Sequence, residues 1–173
     1  MDEPTVIIDN TSLFDAIFPI INYQYVLVRD ATNRISGIVT ASDLSTTFRE
    51  LAEPFLLLDE IENHIRSLII RSGFTIDQLR SVADEGMRRD AESVNDLTIG
   101  EYIRLLERPE SWSQLNLAID RVSFVGMLDE VRKIRNDVMH FNPDPRRPED
   151  LDPLRKLVGL LQKLRRAQVI SEA

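Results

Sequence analysis

The chain has 173 residues, 43% hydrophobic and 29% charged, a balance that supports a packed core and argues against general disorder. It contains no cysteine and only two histidines, which excludes disulfides, thiolate zinc sites, cysteine nucleophiles and histidine-rich metal sites. The formal net charge of −8 argues against a nucleic-acid footprint that covers the whole surface.

The first part of the chain predicts a small α+β unit. Three short runs rich in β-branched and aromatic residues are typical of strands: Val6–Ile8, Tyr23–Val28 and Ile35–Val39. Between the first two, Ser12 can cap an amphipathic helix whose apolar residues are Leu13, Phe14, Ile17 and Phe18. Turn-forming residues 30–33 predict a hairpin, and residues 40–43 predict the start of another helix.

From about Leu44 onward the pattern is helical. The first predicted helix, Phe48–Ile70, has an apolar stripe made of Leu51, Phe55, Leu58, Ile61, Ile65, Leu68 and Ile69. Ser72–Gly73 ends that helix, and two capping boxes, Thr75–Gln78 and Thr98–Glu101, open the next two. Residues 109–116, which include Trp112, predict a turn. A helix over 117–141 with a proline-rich exit, and a last helix over 153–168, complete the chain.

The fold class expected from these elements is an α+β unit over residues 1–47 followed by an all-α helical bundle over 48–173, mainly α overall. No apolar run approaches the roughly 20 residues that span a bilayer. The acidic start, Met1–Pro4, is also unlike a signal peptide. We therefore expect a cytoplasmic protein with no membrane partner.

The most informative segment is Arg135-Asn136-Asp137-Val138-Met139-His140, near the end of the penultimate helix. Helical spacing predicts a core face made of Phe124, Met127, Leu128, Val131, Ile134, Val138 and Phe141. The same spacing predicts a second stripe made of Arg132, Arg135, Asn136, Met139 and His140. Residues 129–166 hold ten Lys/Arg against seven acids, a local charge of +3, so a local polyanion site is compatible with the acidic chain.

The segment Gly37-Ile-Val-Thr40-Ala-Ser-Asp43-Leu resembles the signature of a cystathionine-β-synthase (CBS) repeat, and the resemblance covers about residues 4 to 50. It implies an adenine nucleotide as ligand, with Thr40 at the phosphate and Asp43 at the ribose hydroxyls. The same two residues also suit a helix capping box, so a purely structural role is the alternative. The family works with paired repeats and this chain holds one, which implies self-association.

Arg-Asn-x-x-x-His, after an apolar run and before an aromatic residue, resembles the R-x(4–6)-H motif of HEPN (higher eukaryotes and prokaryotes nucleotide-binding) domains, over about residues 49 to 168. The resemblance implies a helical bundle and a dimeric endoribonuclease that requires no metal or cofactor. Arg135, Asn136 and His140 would be catalytic, since imidazole exchanges protons near neutral pH and a guanidinium stabilises phosphorane-like charge. Arg132, Arg146 and Arg147 would bind the RNA substrate.

Helix geometry bears on how such a site would be completed. Arg135 and His140 are five residues apart, so their directions differ by about 140°, and one straight helix cannot aim both at one phosphate. A two-fold dimer can bring Arg135 of one chain towards His140 of the other. Two alternatives stay open: a catalytically silent HEPN module that binds a nucleotide or a partner protein, such as a cognate inhibitor, and a purely structural dimerisation module.

Overall fold

In the computed structural model the described residues are 5–84, 86, 91–140 and 147–171. The protein is mainly helical and has a small three-stranded sheet. The chain divides into two compact units between Glu53 and Pro54, inside one helix, whereas the sequence pattern places the boundary between residues 47 and 48. Among the described residues no helix is both long and apolar enough to cross a bilayer.

The N-terminal unit has the strand–helix–strand–strand–helix order that the sequence predicts. Strand β1 (Val6–Ile8) is parallel to β2 (Tyr25–Arg29), and β3 (Ile35–Thr40) is antiparallel to β2. The hairpin turn forms because Asp30 Oδ1 accepts hydrogen bonds from the backbone N–H groups of Thr32 (2.8 Å) and Arg34 (3.0 Å).

Helix α1 (Leu13–Tyr23) begins as predicted, since the Ser12 side chain accepts a hydrogen bond from the backbone N–H of Asp15. The predicted apolar face is wrong, however. Ala16 and Ile20 are the buried residues and pack with Val26, whereas Phe14 is 80% exposed and Phe18 is 73% exposed. The buried side of α1 is therefore the one that carries Ala16 and Ile20, and two phenylalanines are exposed to solvent.

One continuous helix, α2 (Ala41–Arg71), replaces the separate helices that the sequence predicts around residues 40–48. In its apolar stripe Leu58, Ile61, Ile65, Leu68 and Ile69 are buried as predicted, but Leu51 and Phe55 are exposed. The helix ends at the predicted place. Gly73 there has φ +69°, a left-handed conformation that suits glycine, and its N–H donates to Ile70 C=O at 3.1 Å.

The second unit is a helical bundle whose shorter elements are α3 (Ile76–Arg80), α4 (Ile99–Leu106) and α5 (Pro109–Leu115). Both predicted capping boxes, at Thr75 and Thr98, are present. The prediction of a plain turn at 109–116 is wrong. Pro109 occupies the first turn of a short helix, where its missing N–H costs nothing, and Asn116 ends that helix at φ 50°.

The two long C-terminal helices are α6 (Arg121–Met139) and α7 (Asp152–Ser171), and short 3₁₀ turns occur at Val94–Asp96 and Pro148–Leu151. The largest fully buried side chains of the bundle include Tyr102, Phe124, Ile61, Ile65, Leu105, Leu128, Leu154, Leu157 and Leu161. Trp112 is half-buried at the edge of this core, and its ring centroid lies 5.4 Å from that of Phe124.

Gly126 offers a test of the α6 assignment. It lies exposed inside α6, and a Cβ added there would meet no atom within 4 Å. We expect Gly126→Ala to stabilise the protein by roughly 0.5–1 kcal/mol, because glycine loses more backbone entropy in a helix than alanine does. Urea denaturation measures the change. Gly73→Ala is the control and should lower the free energy of unfolding, because the positive φ at residue 73 strains any side chain. A higher free energy of unfolding in Gly73→Ala would contradict the helix end described.

Candidate active site

Helix α6 positions most of the candidate residues. It begins at Arg121, four residues after the predicted start, and the side chain of its N-cap Asp120 accepts a hydrogen bond from the backbone N–H of Ser123 at 2.7 Å. Phe124, Leu128, Val131 and Val138 are buried and Met127 and Ile134 pack against the core, as predicted. Phe141, assigned to the same face, lies outside the described residues. This core face fixes the rotation of α6 and therefore where its polar residues point.

The C-terminal end of α6 places Asn136 and His140 one helical turn apart. Helix geometry ends at Met139, and His140 is the C-cap, with φ −85° and ψ 3°. Its backbone N–H still donates to the Asn136 carbonyl at 3.0 Å, so the two residues follow each other along one side of the helix. The His140 side chain is exposed and that of Asn136 is half-buried. An imidazole is thus presented to solvent beside an amide.

Arg135 differs from its neighbours on the predicted stripe. It follows Leu128 by seven residues, so its direction lies within about 20° of that fully buried side chain. Arg135 is half-buried, and its Nε is buried with no hydrogen-bond partner among the described residues. The predicted stripe is therefore divided. His140 is exposed, whereas Arg135 extends from the core side of α6 and retains an unsatisfied N–H, which is rare in a folded interior.

Arg132 is held by its own helix. Its Nε and Nη2 donate to Asp129 Oδ1 at 2.9 and 2.8 Å, and Lys133 Nζ lies 2.9 Å from Asp129 Oδ2. Hydrogen bonds from Lys133 and Arg132 lower the pKa of Asp129. The Arg132 stem passes over α4, where its Cδ is 3.9 Å from the position of a Cβ on Gly100. Part of the positive charge assigned to substrate binding is therefore neutralised locally.

The arginine pair expected to bind substrate is only partly described. Arg147 has an exposed side chain, and its backbone N–H donates to Asp150 Oδ2 at 2.8 Å, which opens the last 3₁₀ turn. Arg146 lies outside the described residues, as does the proline-rich exit at 142–145. What the structure provides here is one cationic side chain in solvent shortly before α7.

Thr40 and Asp43, the candidate nucleotide-binding residues, form the capping box of α2. Asp43 Oδ2 accepts hydrogen bonds from the Thr40 backbone N–H (2.9 Å) and hydroxyl (2.7 Å), and the Asp43 N–H donates to Thr40 Oγ1 at 3.2 Å. These bonds lower the pKa of the Asp43 carboxyl, the hydroxyl bond most strongly. A nucleotide phosphate at Thr40 would have to compete with Asp43 for the hydroxyl proton.

Sequence reasoning missed a buried polar network that anchors α4. Glu101 is 1% exposed; its carboxylate accepts from the N–H groups of Thr98 (2.6 Å) and Asp84 (2.8 Å), and Arg104 Nη2 lies 3.5 Å away. In the same helix the Tyr102 hydroxyl donates to Val94 C=O and accepts from Arg66 Nε, both at 3.0 Å. The capping box signals the role of Glu101, but no local signal indicates its burial.

His64 is the other histidine, and it belongs to a structural contact. Its side chain is 12% exposed and its Nε2 lies 3.5 Å from Glu60 Oε1, which also accepts a hydrogen bond from Gln162 of α7 at 2.7 Å. Among the described residues no group of three His, Asp or Glu side chains is arranged to hold a metal ion. His140 is thus the exposed histidine of the chain, and we base the candidate site on it.

Comparison with known proteins adds no relative: no family model, no curated protein and no solved structure matches this chain.

Proposed function

We propose that this protein is a dimeric endoribonuclease that cleaves RNA by attack of a 2′-hydroxyl on the neighbouring phosphate. The observation that carries the proposal is the exposed His140 imidazole one turn after Asn136, with the Arg135 guanidinium beside the same helix end and one of its N–H groups unsatisfied. A proton-transfer group, an amide and a fixed cation are the parts that phosphate-ester cleavage needs.

In the proposed reaction His140 takes the proton of the 2′-hydroxyl or delivers one to the departing 5′-oxygen, and solvent water exchanges the other proton. The 2′-oxygen bonds to phosphorus, the bond from phosphorus to the 5′-oxygen breaks, and the products are a 2′,3′-cyclic phosphate and a 5′-hydroxyl. Arg135 stabilises the charge that grows on the phosphate oxygens, and Asn136 orients the imidazole or the phosphate. Arg132 and Arg147 are the described side chains that we assign to binding flanking phosphates.

Two features support a shared site. Arg135 lies on the core side of α6 and His140 is exposed beyond its end, so one chain does not direct both groups to one phosphate. The N-terminal unit leaves Phe14 and Phe18 in solvent, and exposed apolar surface of this kind is typical of an association surface. We therefore propose a two-fold dimer in which Arg135 of one copy and His140 of the other act on the same phosphate.

A regulatory adenine nucleotide at the N-terminal unit completes the proposal, with Asp43 at the ribose. Asp43 Oδ2 is engaged by Thr40, so the ribose contact would use the other carboxylate oxygen. Nucleotide addition to the cleavage assay described next would test this regulation through the change in rate.

The experiment is incubation of the purified protein with single-stranded RNA in EDTA, beside His140→Ala and Met139→Ala. We expect wild-type cleavage that leaves cyclic phosphate ends, and a loss of about 10²–10⁴-fold in His140→Ala, the range for removing a general acid or base. Met139 is the matched control because it is an exposed neighbour with no proposed role, and its variant should retain the rate. Undiminished cleavage by His140→Ala would refute the proposal.

A second candidate is a catalytically silent bundle that binds a partner or nucleotide. The specific observation in its favour is the core-side direction of Arg135, which suits a structural arginine as well as a catalytic one. In that case the wild-type protein would release no cyclic phosphate ends in the same assay, although it would bind a nucleotide or a partner protein.

A further inference from the structure

Helices α6 and α7 leave an open groove between them on the surface of the bundle. Its volume is about 630 Å³, and its α6 side is formed by Ser123 and Met127. The α7 side is formed by residues between Arg155 and Lys163. Arg155 and Lys163 are eight residues apart, which corresponds to about 12 Å along the helix axis, slightly more than two helical turns. The groove is therefore long enough to hold two to three turns of another helix.

The floor of the groove is apolar and open. Met127 and Leu160 are only partly buried, although both pack against the core of the bundle. Gly159 also lines the groove, and a Cβ added there would meet no atom within 4 Å. Flexible methionine and leucine side chains around a glycine form the kind of surface that accepts the apolar face of a helix.

The rim of the groove is cationic. Lys156 and Lys163 are both exposed, and they lie seven residues apart on α7, so they project on the same side. Neither has an ion-pair partner among the described residues. Arg155 also lines the groove and bonds to Asp152 at 2.9 Å. In a chain with a net charge of −8, this local positive rim favours an acidic ligand.

We propose that the α6–α7 groove binds an acidic amphipathic helix of a partner protein. The apolar face of that helix packs on Met127 and Leu160, and its carboxylates lie beside Lys156 and Lys163. Among the residues that the structure describes, none that lines the groove is aromatic, whereas proteins that hold single-stranded nucleic acid stack its bases on aromatic rings. The lining therefore fits a helix better than RNA. The proposal does not depend on the proposed ribonuclease activity.

The test uses fluorescein-labelled helical peptides of about 14 residues, four turns, that carry leucines on one face. One peptide has glutamates flanking the leucines, its control has lysines, and oligouridylate is the third probe. We expect fluorescence anisotropy to show a preference of the intact protein for the acidic peptide. Lys156→Glu/Lys163→Glu should weaken that binding about tenfold or more and reverse the preference to the basic peptide.

Two control variants separate groove binding from general electrostatics. Arg34→Glu/Arg49→Glu changes the net charge equally at exposed positions that do not line the groove and should leave the affinity unchanged. Gly159→Gln keeps the charge but fills the floor, so the acidic peptide should bind several-fold more weakly while circular dichroism stays unchanged. Three results would overturn the proposal. The protein could bind both peptides with equal affinity, or Gly159→Gln could bind the acidic peptide as tightly as the wild type does. The third is a lysine variant that loses only the binding of oligouridylate.

Discussion

Equal amounts of the Arg135→Ala and His140→Ala variants, mixed and allowed to exchange subunits, should recover about a quarter of the wild-type rate of RNA cleavage, although each variant alone is inactive. Random exchange makes about half of the dimers mixed. In a mixed dimer one site has the intact Arg135 of one copy and the intact His140 of the other, whereas the second site lacks both groups. Because half of the dimers are mixed and half of the sites in each mixed dimer are intact, one quarter of all sites can cleave RNA.

This prediction follows from the direction of two side chains. Arg135 extends from the core side of α6, within about 20° of Leu128, while His140 caps the helix in solvent. If the two groups acted within one chain, no mixture could restore a site. Size-exclusion chromatography of differently tagged variants would verify exchange, and circular dichroism would verify that Arg135→Ala folds. Activity that stays at background despite exchange would contradict the shared site.

A second large effect is expected at Glu101. We predict that Glu101→Ala lowers the free energy of unfolding of the bundle by about 3 kcal/mol, because the backbone N–H groups of Thr98 and Asp84 lose the buried, charged acceptor to which both donate. In this variant the Arg104 guanidinium also loses the Glu101 carboxylate as an ion-pair partner. It keeps its hydrogen bond to Asp84, to which its Nη2 donates at 2.7 Å. Urea denaturation followed by circular dichroism measures the loss.

The Glu101 contribution should depend on pH in a defined direction. Burial alone raises the pKa of Glu101, but hydrogen bonds from Thr98 and Asp84, with the charge of Arg104, outweigh burial and leave the pKa below its ordinary value. A lowered folded-state pKa stabilises the fold above the ordinary carboxyl pKa of about 4.3, and this contribution is lost as pH falls through the folded value. The difference in free energy of unfolding between the wild type and Glu101→Ala should therefore become smaller as the pH falls.

Asp96 provides the matched control. It forms an equivalent capping box, accepting from the backbone N–H groups of Glu92 (3.0 Å) and Ser93 (2.8 Å), but it is exposed, so water can replace it. Asp96→Ala should lower the free energy of unfolding by much less than Glu101→Ala does. Equal losses would show that capping alone, without burial, accounts for the role of Glu101.

Short-range features were predictable from the sequence alone. The capping boxes at Thr40, Thr75 and Thr98, and the glycine stop at Gly73, involve groups within a few residues of one another, so their hydrogen bonds depend mainly on local sequence. For the same reason the core face of α6, set by helical spacing, agrees with the buried residues of that helix.

Features that depend on which face meets a neighbour were decided only by the tertiary structure. Ala16 and Ile20 are buried against Val26 of the sheet, whereas the larger Phe14 and Phe18 are exposed, so the residues that pack are not the largest apolar ones of α1. Glu101 is buried because the chain at Val82–Asp84 passes over α4, where the Asp84 N–H donates to Glu101 and the Val82 carbonyl accepts from Arg104 Nε. Neither contact has a signal within a few residues of the side chain concerned.

The candidate site itself combines both kinds of information. The sequence alone determined that an arginine, an asparagine and a histidine occur together at the end of the penultimate helix, since helix limits and spacing are local properties. Only the tertiary structure decided that Arg135 points to the core side and His140 to solvent. That division follows from the packing of α6 against α4 and α7, which fixes its rotation, and packing between distant segments is not encoded in any short pattern.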